Sequence, residues 1–557
     1  MKKISMKDAR ALGLSRRSFV QGAAAGAGAL ALAGCSSSSD SSGSSDDADS
    51  EEEEVEVEAD LDATVTFAIT TAWESFNPYI CSTSYSYLVA DKIFDRPCYV
   101  NDDYVSEPRA ASSWEIEDET KLVFHLDEGA TWHDGEPVTA DDWVFTLQTI
   151  SSSEVTAVSR SFCRYLEGCS VAGIEESEGS VAVEARDDYT VVCTMNKAYS
   201  LDSFMLCWAP SLYILPEHVF EGMTPAEVFA SDHWESPIGS GPFAFDSMVS
   251  GSSITLTSFE DYQLGQPQFA QLVFQVLAAS NFANSIMAGE VDLTYTHIDV
   301  DDALALEGQD GISIVRNDLP TFYQVLSYNH NTMSQNMRKA VNYGIDKATL
   351  VEEYYNGDAE LVETIVMPTT DYYKGNSVTR DVETAASYLQ AAIDAGEWEE
   401  GQVFELGVNT DSREKQGALI AQNLEEIGLT CNVTMYDSST MWSYLSDGTI
   451  QGCLMGLMPT TDILSSRAYF ESMYKDVLYF HIGYDVFDEL IEGLETATDE
   501  DTKKDLIEQF QDAEADLVPF SWICAQYSYA ATSTRLGNAD PFASDVLNNA
   551  TWKWTVA

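Results

Sequence analysis

Basic residues are scarce in this sequence: 28 Lys and Arg stand against 92 Asp and Glu in 557 residues, a formal net charge of −64. So acidic a surface repels nucleic acid and anionic lipid headgroups, and no basic cluster offsets it. Histidine is almost as sparse. The seven present (His125, His133, His218, His233, His297, His330 and His481) include no pair at i, i+4, so local spacing builds no zinc or nickel site. Ten cysteines occur without a C-x-x-C or any zinc-type spacing. Nine of them follow Cys35, an odd number, and Cys163 with Cys169 closes the shortest loop. Outside the cytosol some could pair, but no disulfide framework is required. A G-x-x-x-x-G-K-[ST] phosphate loop, an H-E-x-x-H and a G-x-S-x-G elbow are all missing. No metal, no cofactor and no enzyme activity is therefore expected. A hydrolase would have to place a nucleophile beside a distant base, such as a Ser beside one of the seven His.

What is present begins at the N-terminus. Lys2, Lys3, Lys7 and Arg10 lead to "SRRSFV", a twin-arginine signal, and then to the small-residue run "GAAAGAGALALAGC" ending at Cys35. The apolar part is too short and glycine-rich to span a bilayer, and no later run approaches the ~20 residues a spanning helix needs. "LAGC" (Leu32 to Cys35) resembles a lipoprotein lipobox, which implies cleavage before Cys35 and lipidation of its sulfur. Cleavage would remove six basic residues and one acid, moving the net charge from −64 to −69. The following segment, to Asp60, carries serines and "DDADSEEEEVEVEAD" without an aromatic. It cannot bury apolar surface and reads as a self-repelling tether. The expected arrangement is a signal peptide over 1–34, an acidic tether over 35–60, and about 500 residues of folded chain held outside the cytoplasm by lipid alone.

Within that chain, "ATWHDGEPVTADDWVF" (Ala130 to Phe145) first suggests an acid/base constellation through His133, Asp134, Glu136, Asp141 and Asp142. Local patterning gives each residue a structural task instead. "KLVFHL" before it alternates as a strand, Asp134-Gly135 is a turn dipeptide, and Thr139 with Asp142 opens a helix in the manner of a capping box. Trp143, Val144, Leu147 and Ile150 then form an apolar stripe at helical spacing.

The same stretch, extended to "SSWEIEDETKLVFHLDEGATWHDGEPVTADDWVFTL", resembles the signature of family 5 extracellular solute-binding proteins, the oligopeptide, dipeptide and nickel receptors of ABC importers. Further blocks agree. "SPIGSGPFAF" resembles the family's P-x-G-T-G-P-[FY] turn with Ser240 replacing Thr, and is followed by "DYQLGQP" and "IMAGEVDL". "LSYNHNTMSQNMRKAVNYGIDK" matches through Asn329, Arg338, Ala340, Ile345 and Asp346. "LIAQNLEEIGLTCNVTMYD" reads as helix, Gly cap at Gly428 and strand.

Alternation of short β-rich runs with helical ones argues for α/β lobes. The resemblance implies a two-lobed, type II periplasmic-binding-protein-like fold with an extra N-terminal subdomain and two hinge strands. Lobe I is expected at 61–98, 232–325 and 520–557, the subdomain at 99–231, and lobe II at 326–519. The hinges are expected near Leu319 to Leu326 and Val518 to Ala525. The implied mechanism is capture of a short peptide by lobe closure and delivery to ABC permease subunits, the receptor working as a monomer. Nickel chelates, haem, opines or oligosaccharides are the alternative solutes. A secreted hydrolase or a surface sensor or adhesin are the alternatives outside the class.

Site residues follow by matching. Family members place an Asp for the ligand ammonium in a Gly-Trp-x-x-Asp-like stretch. Here that stretch is "MGLMPTTDILSS", with Leu457 in place of the Trp and Asp462 about two positions late. "NTDSREKQ" matches the strand-to-helix turn where some members carry a basic residue for the ligand carboxylate, here Arg413. "AWESFNPYICSTSYSY" matches a loop facing the cleft and offers Asn77, Ser84 and Tyr85 as hydrogen-bonding groups. Tyr323 and Trp522, on the hinge strands, are expected on the cleft floor.

Overall fold

The computed structural model describes residues 60–557 apart from 82, 101–104, 156–160, 170–180, 208, 295–297, 299, 318–319, 321, 376–377, 458–462, 477 and 540–549. The twin-arginine run, Cys35 and nearly all of the acidic tether lie outside these residues, as does Asp462. Among the described residues no helix is long and apolar enough to cross a membrane.

Two large sheets organise the chain. The first has seven strands in the spatial order Ile312–Arg316, Tyr529–Ser533, Leu293–Thr294, Thr64–Ile69, Gln271–Val276, Ser253–Ser258, Phe243–Val249. The second has six, in the order Ala359–Glu360, Phe520–Gln526, Phe322–Tyr328, Gly452–Leu457, Phe404–Val408, Cys431–Met435. Strands Thr64–Ile69, Gln271–Val276 and Leu293–Thr294 run parallel, as do Phe404–Val408, Cys431–Met435 and Gly452–Leu457. Gly452–Leu457 is buried on both faces, whereas Gln271–Val276 alternates and Cys431–Met435, at the edge of its sheet, has no buried residue. Helices Gln335–Gly344, Lys347–Tyr355, Val382–Asp394 and Asp411–Glu425 cover one face of the second sheet around Leu326, Tyr328, Leu406 and Ile523.

The chain crosses from the first sheet to the second between Arg316 and Phe322 and returns between Gln526 and Tyr529. The expected hinges at 319–326 and 518–525 thus fall mostly within paired strands. Phe520–Gln526, assigned from sequence to lobe I, pairs antiparallel with Phe322–Tyr328 inside the second sheet. Both strands are buried on both sides within the second sheet.

A four-stranded antiparallel sheet, in the order Ala111–Glu117, Lys121–Leu126, Thr190–Thr194, Val183–Asp187, forms the extra subdomain with helix Ala140–Ser151. Here the stretch around His133 takes its structural role. Asp142 accepts the Thr139 backbone N–H at 2.8 Å, closing the helix start, and also accepts the N–H of Glu217 at 2.8 Å. Gly135 turns the chain at φ +91°. The Gly239 N–H donates to His133 Nδ1 at 3.1 Å, and Nε2 lies 2.9 Å from the Gly241 carbonyl. That pattern needs a neutral ring protonated on Nε2, and burial pushes its pKa down to about 4. Gly239 and Gly241 cannot be replaced cheaply: a Cβ would meet the Ile93 carbonyl oxygen at 1.8 Å and the Lys92 carbonyl oxygen at 2.7 Å. Two sequence blocks about 100 residues apart are therefore one interlocked joint between subdomain and lobe I.

A buried ion cluster reinforces that joint. Arg109 donates to Asp91 and Asp95 at 2.7 Å each, Arg96 and Lys92 also reach Asp91, and Asp95 accepts from Tyr262 and Gln263. The surrounding cations hold Asp91 far below the usual carboxylate range against the cost of its burial, whereas burial pushes Asp95 up to about 6.

Candidate functional site

Both sheets present the C-terminal ends of parallel strands toward the two crossings. In α/β sheets such ends are where ligands are held, because the loops there are free to vary. From the first sheet, strand Thr64–Ile69 ends at Thr70, whose Oγ1 hydrogen-bonds the hydroxyl of Tyr85. Tyr85 belongs to helix Ser84–Ile93, which starts on the N-cap Thr83.

From the second sheet, strand Phe404–Val408 ends at Asn409. Thr410 caps helix Asp411–Glu425 by accepting the Arg413 N–H at 3.2 Å. The cap places Arg413 in the first helical turn, where the helix dipole disfavours a cation. Its guanidinium is half-buried over the second sheet. Nη1 donates to Asn409 Oδ1 at 2.8 Å, Nε reaches Gln324 Oε1 at 3.5 Å, and no carboxylate lies within salt-bridge distance among the described residues. Burial pulls its pKa below the ordinary arginine value, and no acid counters it. Gly456 makes the space: a Cβ there would stand 3.1 Å from Arg413 Nη2 and 3.2 Å from Phe322. Asn409 Nδ2 also donates to Ser438 Oγ at 3.1 Å, linking the pocket to the start of helix Ser438–Asp447.

The other residues singled out from sequence divide sharply. Ser84 is exposed at the first position of its helix. Asn77 is fully buried and spends its side-chain oxygen on the Tyr79 N–H at 2.9 Å, forming an Asx turn inside the loop. Tyr323 and Trp522 are 0% and 1% exposed, and their rings meet edge to face at 5.4 Å. They continue through Phe520 into the apolar cluster beneath the second sheet. Strand alternation puts both on the face of the second sheet opposite its helices, in a cluster that also holds Phe67, Ile69 and Phe76 from the first sheet and its loop. Asp462 lies outside the described residues. Gly456 and Asn409 were missed. Gly456 was legible as the glycine of the Gly-Trp-x-x-Asp-like stretch, but its task of seating an arginine from the first turn of helix Asp411–Glu425 was not.

Among the described residues no group of three or more His, Cys, Asp or Glu could hold a metal ion. The groups gathered here are a guanidinium face, two amide side chains and a hydroxyl, a set chemically suited to an anionic group.

The family model described as "Bacterial extracellular solute-binding proteins, family 5 Middle" matches residues 106–476. An ABC transporter peptide-binding protein of Brucella ovis is 26% identical over 294 residues, 51% of this chain and 51% of its own length. The chain thus matches about half the length of such curated relatives. Among solved structures, the ABC transporter substrate-binding protein CtaP of Listeria monocytogenes superposes with a TM-score of 0.76 at 22% identity, covering 89% of this chain and 99% of the other. The oligopeptide-binding protein AppA of Bacillus subtilis, solved with a nonapeptide, gives 0.74 at 19% identity, covering 90% and 100%. At these identities the likeness to solved structures is one of fold.

Proposed function

The chain belongs to the family 5 bacterial extracellular solute-binding proteins, and from that premise we propose that it captures short peptides between its lobes and hands them to the permease subunits of an ABC importer. The observation that carries the peptide reading is Arg413. A half-buried guanidinium that no carboxylate among the described residues reaches, in a chain holding 92 acidic residues, is suited to the carboxylate of a ligand. Thr70, Tyr85, Asn409 and Ser438 supply neutral hydrogen-bonding groups at the ends of the two sheets, suited to a peptide main chain. Asp462 is the proposed partner of the ligand ammonium.

In this reading the receptor works as a monomer, is exported through the twin-arginine signal and is anchored by lipid on Cys35, with the acidic segment as tether. The peptide-binding names carried by the Brucella and Bacillus relatives support the solute class. Native mass spectrometry of tether-free protein tests it directly. Co-purifying masses should be those of short peptides, and a peptide at ~100 times its Kd should stabilise the fold by about 2.7 kcal/mol. Retention of a sugar or a metal chelate, with no shift from any peptide pool, overturns the assignment.

A further inference from the structure

The extra subdomain and the second lobe also meet away from the two crossings. On the second lobe, Arg467 donates to Glu471 at 2.6 Å and to Glu495, all three side chains under a tenth exposed. The subdomain adds Tyr165, whose hydroxyl accepts from Arg467 at 3.1 Å, and Lys197, which reaches Glu495 at 2.7 Å. Arg164 donates to the hydroxyl of Tyr474 and lies 3.8 Å from Glu471, and the Ser200 N–H donates to the Glu495 carbonyl at 3.1 Å. Helix Leu201–Cys207 packs on the turn Ile463–Tyr469 beside this cluster.

The charges are apportioned in a way a permanent joint does not require. The second lobe's own group, one arginine and two glutamates, carries a net negative charge. The subdomain brings two of the chain's few cations to it. Arg467 keeps both carboxylates whether or not the subdomain is present, so separation strands no buried charge. What separation loses includes hydrogen bonds at the hydroxyls of Tyr165 and Tyr474, the Ser200 backbone hydrogen bond, the contacts of Lys197 with Glu495 and of Arg164 with Glu471, and apolar cover. That is a contact strong enough to favour one state and weak enough to break.

We propose that this cluster is a closure latch: the subdomain and second lobe meet here when the cleft is shut, and Arg164 and Lys197 set how far the unliganded receptor stays closed. The inference rests on the reading of the chain as a two-lobed receptor, but it is tested without ligand, so the peptide assignment can fail while it stands. The test is hydrogen exchange on the ligand-free, tether-free protein. Segments 197–205 and 463–471 should lose protection together, exchanging at least ~100-fold faster than strand Phe322–Tyr328. Lys197→Glu, a change at a side chain 39% exposed, should speed both segments about tenfold further and leave the strand unchanged. Lys197→Arg should restore wild-type exchange, and 1 M salt should act in the same direction as Lys197→Glu because it screens the pairing. Exchange of either segment at the rate of the sheet strand, or exchange unmoved by Lys197→Glu, overturns the latch and makes the junction a fixed part of the core.

Discussion

Arg109 and Arg413 are both arginines withdrawn from water, and the molecule treats them in opposite ways. Arg109 is enclosed by Asp91 and Asp95 at the root of the extra subdomain, with Tyr262 and Gln263 completing the shell of Asp95. Arg413 is held by one firm hydrogen bond to an amide oxygen, at the end of the second sheet nearest the crossings. A buried charge left without its partner is costly, and a guanidinium cannot escape by losing its proton. Glu514 shows the escape a carboxyl has. It is buried against Thr364 and the Ile365 N–H with no cation paired to it, and burial pushes its pKa up to about 8, so it stays largely protonated near neutrality. Arg413 has no such recourse, and among the described residues no carboxylate reaches it, which is why we propose a ligand carboxylate as its partner.

The contrast yields predictions of decreasing size. Arg109→Ala leaves Asp95 without its cation and Asp91 with only Arg96 and Lys92, and should cost about 3–5 kcal/mol of stability, seen in chemical unfolding with or without ligand. Arg413→Met should leave stability within about 1 kcal/mol but weaken binding of free-acid peptides by about 2–3 kcal/mol, roughly 30- to 150-fold, in titration calorimetry. If both variants lost stability equally, the two arginines would be the same kind of residue and the contrast would be wrong.

Glu514 gives the pH dependence. Its folded pKa stands above the unfolded value near 4.5, so the native state binds the extra proton between about pH 4.5 and 8. Its contribution is complete below pH 4.5 and is lost as pH rises toward 8. Glu514→Gln should flatten that decline in unfolding free energy measured from pH 5 to 8. His133 acts in the opposite sense: with its folded pKa lowered to about 4, stability falls as pH drops from about 6.5 to 4, and His133→Gln should reduce that loss. The smallest effect is expected at Gly456. Gly456→Ala places a methyl 3.1 Å from Arg413 Nη2, which the side chain can relieve by shifting, so affinity for free-acid peptides should fall only several-fold.

Much of the fold was legible along the chain because it is written locally. Strand Lys121–Leu126, helix Ala140–Ser151 and the cap at Asp142 stand where alternation and turn chemistry put them. The same holds for the turn that delivers Arg413, since strand, Asn409-Thr410 and helix are consecutive. The joint of His133 with Gly239 and Gly241 could not be read, since the partners are over 100 residues apart and only the fold brings them together. The surroundings of Tyr323 and Trp522 were hidden for another reason. A strand buried on both faces carries no polar side to mark which way a ring points, and the cleft and the core look alike in sequence. That no carboxylate among the described residues reaches Arg413 was hidden too, because which acids approach a cation is a property of three dimensions.

The claim that matters most is that Arg413 receives a ligand carboxylate, and one titration tests it. Peptides that co-purify with the protein would be resynthesised as free acids and as C-terminal amides and titrated against wild type and Arg413→Met. The account predicts that wild type binds the free acid at least tenfold more tightly than the amide, and that the variant binds both equally weakly. Equal affinity of wild type for acid and amide would contradict it.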